Sequence, residues 1–282
     1  MNHSKPKYLF NCLDEVRRRL GGRDVIAVFL DLDGTLASIT PTPKMTILKP
    51  EMRAALRTLV EQERYRVAIV SGRAMQDLKE VVKIPEITYV GNHGLEIDGP
   101  GLEFVHSEAI ERAGLMTEIC GKLKSRLRFV KGVIVEYKRL SLSVHYRLAA
   151  PPEVGRIRTV VDDAISRFRE ELHITEGKKV LELRPAVSWD KGSSVKWILN
   201  QSGLDPAAAI YVGDDRTDED AFAALPASVT INVGTEFGST SARYFVRSTD
   251  GVLAFIQTLP LANTHPARAD ARPVALRALI GR

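Results

Sequence analysis

Between residues 25 and 90 the hydrophobic positions follow two alternating patterns. Residues 25–30, 66–70 and 87–90 are short, almost continuously apolar runs rich in β-branched side chains, as strands covered on both faces are. Between them, apolar residues recur at helical spacing. Met52, Leu56, Leu59 and Val60 do so in a stretch that opens on Pro50, a residue suited to a first helical turn, and runs to Glu63. A second helix is expected over 73–82. Strands alternating with helices predict a doubly wound α/β sheet. A short amphipathic helix over 8–20 comes before it and stops at Gly21-Gly22.

Near residue 105 the rhythm changes. A helical stretch over 107–128 leads to two strand-like runs at 133–138 and 142–147. After Pro151-Pro152 the chain repeats the arrangement, with a helix over 153–172 and strands at 173–175 and 179–183. The helix–strand alternation then resumes with a helix over 191–201, a strand at 209–212, a helix over 219–225 and a strand at 230–233. The pattern predicts one Rossmann-like α/β core interrupted by an α+β insert. The expected divisions are a basic helical segment at 1–23, core at 24–104, insert at 105–184, core at 185–260 and a flexible tail at 261–282.

Charge changes the picture little. The chain carries a net charge of +5, but residues 1–23 hold +4 and residues 261–282 hold +3, so the body between them is near −2. No basic face interleaved with aromatic residues is visible, so no nucleic-acid partner is expected. Cys12 and Cys120 have no metal-ligand spacing and are too few for a disulfide framework, which points to a reducing, cytoplasmic setting. No apolar run approaches the roughly 18 residues needed to span a bilayer, and the apolar stretch near the N-terminus is too short for a signal sequence.

Candidate chemistry gathers at strand ends. Asp31-Leu32-Asp33-Gly34-Thr35-Leu36 directly follows the first apolar strand, where ligands of open α/β sheets bind. Two carboxylates at i and i+2 repel each other, and a divalent cation is the usual remedy. The same string would also serve as an Asp-Gly turn with solvated acids. Gly213-Asp214-Asp215-Arg216-Thr217-Asp218-Glu219-Asp220 follows another apolar strand. An oxygen-rich site of this kind suits Mg²⁺, although Asp218, Glu219 and Asp220 also fit an ordinary acidic helix start. Ser71-Gly72-Arg73 ends the second strand, where a hydroxyl and amides can hold a phosphate. Lys191 opens a later helix and can supply a cation.

These four pieces, in this order, resemble the haloacid-dehalogenase-like phosphatases, whose motifs run DxDGT, then Ser or Thr, then Lys, then GDD. The resemblance implies a haloacid-dehalogenase-type core with the insert as a cap. It also implies roles: Asp31 as nucleophile, Asp33 as acid and base, and Ser71 and Lys191 as holders of phosphoryl oxygens. Mg²⁺ would be bound by Asp31, the Asp33 carbonyl and Asp214, with Asp215, and Asp218 as a further candidate, behind them.

Longer strings narrow the resemblance. Gly91-Asn92-His93-Gly94-Leu95-Glu96, Val135-Glu136-Tyr137-Lys138, Val144-His145-Tyr146-Arg147 and Gly177-Lys178-Lys179-Val180-Leu181-Glu182-Leu183-Arg184-Pro185 are similar to trehalose-6-phosphate phosphatases. That family implies a small sugar phosphate as substrate. Glu136, Lys138 and Glu182 would meet sugar hydroxyls, and Asn92, His93 and Gly94, near the cap–core boundary, and Arg73 are the other substrate-binding candidates. Phosphatases of sucrose, mannosylglycerate or glucosylglycerol phosphates are the alternatives within the enzyme class, and a non-catalytic sugar-phosphate sensor is the alternative outside it. A surface ion pair is the competing reading of Glu136 and Lys138.

Overall fold

The computed structural model describes residues 5–235 and 238–260. The tail expected at 261–282 lies outside the described residues.

Strand β1 (Lys7–Tyr8) and helix α1 (Leu13–Leu20) open the chain. Then come β2 (Ile26–Leu30), α2 (Pro50–Val60), β3 (Tyr65–Val70), α3 (Met75–Val82) and β4 (Thr88–Gly91). A hairpin follows, β5 (Glu96–Gly99) and β6 (Leu102–Val105). After the second body described below, the first one is completed by α7 (Lys191–Gln201), β11 (Ala209–Gly213), α8 (Asp218–Ala224), β12 (Val229–Val233), β13 (Tyr244–Val246) and α9 (Thr249–Thr258). Among the described residues these strands form one sheet in the order β1-β13-β12-β11-β2-β3-β4-β5-β6. It is parallel except at β5 and β6.

Strand β2 shows why its run is continuously apolar. Ile26, Val28 and Leu30 pack into a cluster with α1, α2, α3 and α9, whereas Ala27 and Phe29 pack into another with α7 and α8. Both faces are covered, so all five residues are buried. The strand runs between β11 and β3, and the connections out of β2 (to β3) and out of β11 (to β12) run to opposite sides. The crevice beyond its carboxyl end is therefore a topological switch point.

The second body holds α4 (Ser107–Glu111), α5 (Ala113–Leu127), β7 (Ile134–Tyr137), β8 (Leu142–His145), α6 (Glu153–Ile165), β9 (Leu172–Gly177) and β10 (Val180–Pro185). Its sheet is antiparallel in the order β7-β8-β10-β9. Leu142, Val144, Leu181 and Leu183 point to one face and pack with Met116, Ile119 and Leu123 of α5 and Ile157 and Val161 of α6. By the period of two, Glu136, Ser143 and Glu182 share the other face. The register aligns Glu136 with Ser143, and Ser143 with Glu182, so they form one row.

Three details differ from the sequence expectation. Residues 8–20 are not one helix: the chain pairs β1 with β13 at the sheet edge, makes a 3-10 turn at Leu9–Asn11, and becomes α-helical only from Leu13. The hairpin β5–β6, the edge strand β13 and helix α9 were not anticipated. Helix α6 ends at Ile165 and passes into a 3-10 segment, Ser166–Glu171. Among the described residues no helix is long and apolar enough to cross a membrane.

Candidate active site

Asp31 leaves the end of β2 with its amide on the Val212 carbonyl (2.9 Å), and its side chain is buried. The following turn brings Gly34 against Asp214. Its φ is +95°, and a Cβ there would lie 2.2 Å from Asp214 Oδ2, so neither the backbone nor the space admits another residue. Helix α7 is capped by Asp190, whose carboxylate accepts from the Ser193 amide (2.7 Å), and this fixes Lys191 in the first turn. Lys191 Nζ lies 2.8 Å from Asp31 Oδ1 and 2.7 Å from Asp218 Oδ1.

Carboxylate oxygens of Asp31, Asp214 and Asp218 lie within 4.8 Å of one another. Asp218 is nonetheless spent. Its Oδ1 accepts from Lys191 and from the Tyr211 hydroxyl (2.8 Å), and its Oδ2 accepts from the amides of Asp214 and Asp215 (3.0 Å each). A carboxylate has about four acceptor sites, and all are used. Asp218 therefore braces the 214–215 loop and Lys191, leaving Asp31 and Asp214 to face the crevice. Asp215 lines it as well.

Burial pushes the Asp31 carboxyl well above the usual carboxylate range. Lys191 pulls the other way, while Asp218 and Asp214 add to the rise. Burial also lifts Asp214 to about 6, with Asp218 adding to it and Lys178 opposing. Lys191 works against the lowering effect of burial, and Asp218 and Asp31 hold it well above its ordinary value, so it stays an ammonium. Three crowded acids exceed what the buried Lys191 and the half-exposed Lys178 neutralise. A hard divalent cation that takes few carboxylates and keeps sites for water or phosphate fits this donor set.

Ser71, at the end of β3, is buried beside this centre. The chain approaches closely next to it: a Cβ on Gly72 would lie 2.4 Å from the His93 ring. Asn92 and His93 both have positive φ, 49° and 58°. Their amides are tied to the carbonyls of Arg73 (2.7 Å) and Ser71 (3.0 Å), which holds this uncommon conformation.

The charged row of the second sheet faces the crevice. Lys138 Nζ donates to the Gly72 carbonyl (2.8 Å) and lies 3.4 Å from Glu182 Oε1, which also accepts from Ser143 Oγ (3.0 Å). His93 Nε2 lies against the other oxygen of Glu182. Burial opposes the ionised form of Glu182, yet His93 and Lys138 hold its carboxyl well below its usual range. Glu136 pairs with His145 Nε2 at 2.7 Å.

Not every residue read from the sequence lies in the cavity. Asp31, Asp33, Ser71, Arg73, His93, Glu136, Lys138, Glu182, Lys191, Asp214 and Asp215 line it. Asn92 and Gly94 do not. Asn92 is buried in the joint between the bodies, where it donates to Glu96 (2.7 Å) and the Lys138 carbonyl (3.0 Å) and accepts from Ser141 (2.5 Å). The Gly94 carbonyl accepts from the Trp189 ring (2.7 Å). Arg73 spends its guanidinium on Asp33 (2.6 and 2.8 Å), Asp77 (2.5 Å) and Thr46 (2.7 Å) rather than on the open crevice. Sequence reasoning gave no role to Lys178, whose ammonium sits 2.7 Å from Asp214, or to Thr46. The Gly177-Lys178-Lys179 string at a hairpin tip was the available signal for the lysine. Nothing local marks Thr46.

The fold is similar to that of a haloacid dehalogenase-like hydrolase from Bacteroides thetaiotaomicron, with a TM-score of 0.62 at 17% identity over 83% of this chain and 99% of that one. The fold matches that of the C-terminal domain of C. albicans trehalose-6-phosphate phosphatase with a TM-score of 0.76, at 20% identity over 92% of this chain and 99% of that one. The trehalose-phosphatase family model matches residues 29–250. A probable trehalose-phosphate phosphatase of Oryza sativa is 34% identical over 264 residues, 84% of this chain and 70% of its own. The trehalose-phosphate phosphatase of Mycobacterium tuberculosis is 40% identical over 200 residues, 70% of this chain and 50% of its own, so the match spans half the length of that relative. The chain belongs to the trehalose-phosphatase family and is a phosphoric monoester hydrolase.

Proposed function

We propose that this chain hydrolyses trehalose 6-phosphate to trehalose and phosphate, dependent on Mg²⁺ and through an aspartyl phosphate on Asp31, in the cytoplasm. One observation carries the reading. A buried carboxylate held by Lys191 faces, across one cavity, the charged side chains Glu136, Lys138 and Glu182 of the second body. Names of the relatives supply the sugar, and two free cysteines fit a reducing compartment.

In this reading the second body, residues 105–184, is a cap. An Asp31 oxygen attacks phosphorus, and the bond from phosphorus to the sugar oxygen breaks. Asp33 gives its proton to that oxygen. Asp33 then takes a proton from a water whose oxygen attacks phosphorus, and Asp31 leaves as a carboxylate. Lys191 and Ser71 hold phosphoryl oxygens. Asp31, the Asp33 carbonyl and Asp214 would hold Mg²⁺, with Asp215 and Asp218 behind, and the ion would neutralise charge on the phosphoryl group. Glu136, Lys138 and Glu182 offer acceptors and a donor to sugar hydroxyls. His93 orients Glu182 from below.

The test is phosphate release from a panel of sugar phosphates: trehalose 6-phosphate and the sucrose, mannosylglycerate, glucosylglycerol and glucose phosphates, each with Mg²⁺ and with excess chelator. Trehalose 6-phosphate should give the highest kcat/KM, and chelation should abolish turnover. A higher value for another member would reassign the substrate, and full activity in chelator would remove the metal.

A further inference from the structure

The residues that hold Asp33 are linked, contact by contact, to the second sheet. Arg147, in the turn after β8, donates from Nη1 to the Thr40 carbonyl (2.7 Å) and from Nη2 to the Lys178 carbonyl (2.7 Å). One partner belongs to the core loop after the Asp31 motif, and the other to the β9–β10 turn. The Thr40 hydroxyl donates to the Thr42 carbonyl (2.8 Å) and packs 3.0 Å from the hydroxyl of Thr46, and Thr46 is buried and donates to Asp33 Oδ1 (3.2 Å). Arg73, also buried, closes the opposite side, with Nη2 on Asp33 Oδ1, Nε on Oδ2, and Nη1 on Asp77.

Counting acceptor sites on Asp33 selects one of its oxygens. Oδ1 takes Thr46 and Arg73 Nη2, which fills it, whereas Oδ2 takes Arg73 Nε and keeps one site. Asp33 lines the cavity, so this remaining site is the one that can carry a proton to and from a substrate.

We propose that Arg147, Thr40 and Thr46 are positioning residues for the acid–base carboxylate. Seating of the second sheet on the core, through Arg147, fixes the 40–46 loop, and Thr46 in turn aims Asp33 Oδ2 at the leaving oxygen. The inference rests on the acid–base role proposed for Asp33. The proton on Oδ2 passes to the sugar oxygen while the electron pair of the broken P–O bond stays with that oxygen. A poor leaving group such as a sugar alkoxide needs this proton, and p-nitrophenolate does not. The arrangement also denies general acid catalysis to a site whose second sheet is not seated.

The experiment is rapid-quench measurement of the first turnover with trehalose 6-phosphate and with p-nitrophenyl phosphate. It compares the wild type with Asp33→Asn, Thr46→Val, Thr46→Ser, Arg147→Met and the Thr46→Val/Arg147→Met double variant. Thr46→Val and Arg147→Met should each slow trehalose release by about tenfold or more and leave p-nitrophenol release within about twofold. Thr46→Ser restores the hydroxyl and should stay near the wild type. The double variant should be no slower than the worse single one, because both act in one chain of contacts. Equal slowing of both leaving groups, or effects that multiply in the double variant, would overturn the proposal. If Asp33→Asn slows trehalose release and the other variants do not, the link alone fails. If Asp33→Asn leaves trehalose release unchanged, the acid role of Asp33 fails first.

Discussion

Lys178, at the tip of the β9–β10 turn, lies 2.7 Å from Asp214 Oδ2, so the second sheet lays a cation on an acid of the core. Burial raises the Asp214 carboxyl, and Lys178 offsets part of that rise. Any divalent cation that uses Asp214 must share it with this ammonium.

Lys178→Met should therefore bind Mg²⁺ more tightly. The lysine is half exposed, so the effect is modest: about twofold to fivefold, the range expected of a partly solvated pair. Titration calorimetry on the substrate-free protein measures it. Unchanged affinity would show that Asp214 is no ligand or that Lys178 does not compete for it.

The joint between the bodies rests on Leu140, which is fully buried among Leu95, Ala109 and Val187, beside the Asn92–Ser141 hydrogen bond. Leu140→Ala removes a core side chain at a cost of about 2–5 kcal/mol. Chemical denaturation should show a loss in that range. A change below about 1 kcal/mol would mean the joint relaxes around the gap.

Much of this site was legible because its chemistry sits at strand ends. Asp31, Ser71 and Asp214 each follow an apolar run, and the parallel sheet brings those ends together. Lys191 was readable as a first-turn residue. What escaped depends on contacts between distant segments. Thr46 meets Asp33 across a loop without periodicity, Arg147 meets Thr40 from the other body, and Asn92 counted among the substrate-binding candidates because its string adjoins the site. Strand β1 has two residues and shows no periodicity, and the hairpin β5–β6 is mixed and half exposed, so neither gives the apolar run that marks a covered strand.

Sugar recognition should separate from phosphoryl chemistry. Glu136→Ala, Lys138→Ala and Glu182→Ala should each lower kcat/KM for trehalose 6-phosphate at least about tenfold, roughly 1.4 kcal/mol, with little change for p-nitrophenyl phosphate. Glu136 is the cleanest probe, since its bonded partner is His145, whereas Lys138 and Glu182 also contact Gly72 and His93 of the core. Lys191→Ala should damage both reactions. Steady-state kinetics on both substrates decides this. Wild-type activity of the three variants on trehalose 6-phosphate would remove Glu136, Lys138 and Glu182 from sugar recognition, and equal loss on both substrates would assign them to folding or closure.

The central claim is that Asp31 carries the phosphoryl group. Asp33→Asn should still accept it from p-nitrophenyl phosphate, whose leaving group needs no proton, but should release it slowly for want of a base. Acid quench of that variant, followed by reductive trapping and peptide mass spectrometry, reads the site directly. The account predicts near-stoichiometric modification of the peptide containing Asp31, absent in the Asp31→Asn/Asp33→Asn double variant. Phosphoryl label on another residue, or none at all during continued p-nitrophenol release, would contradict it.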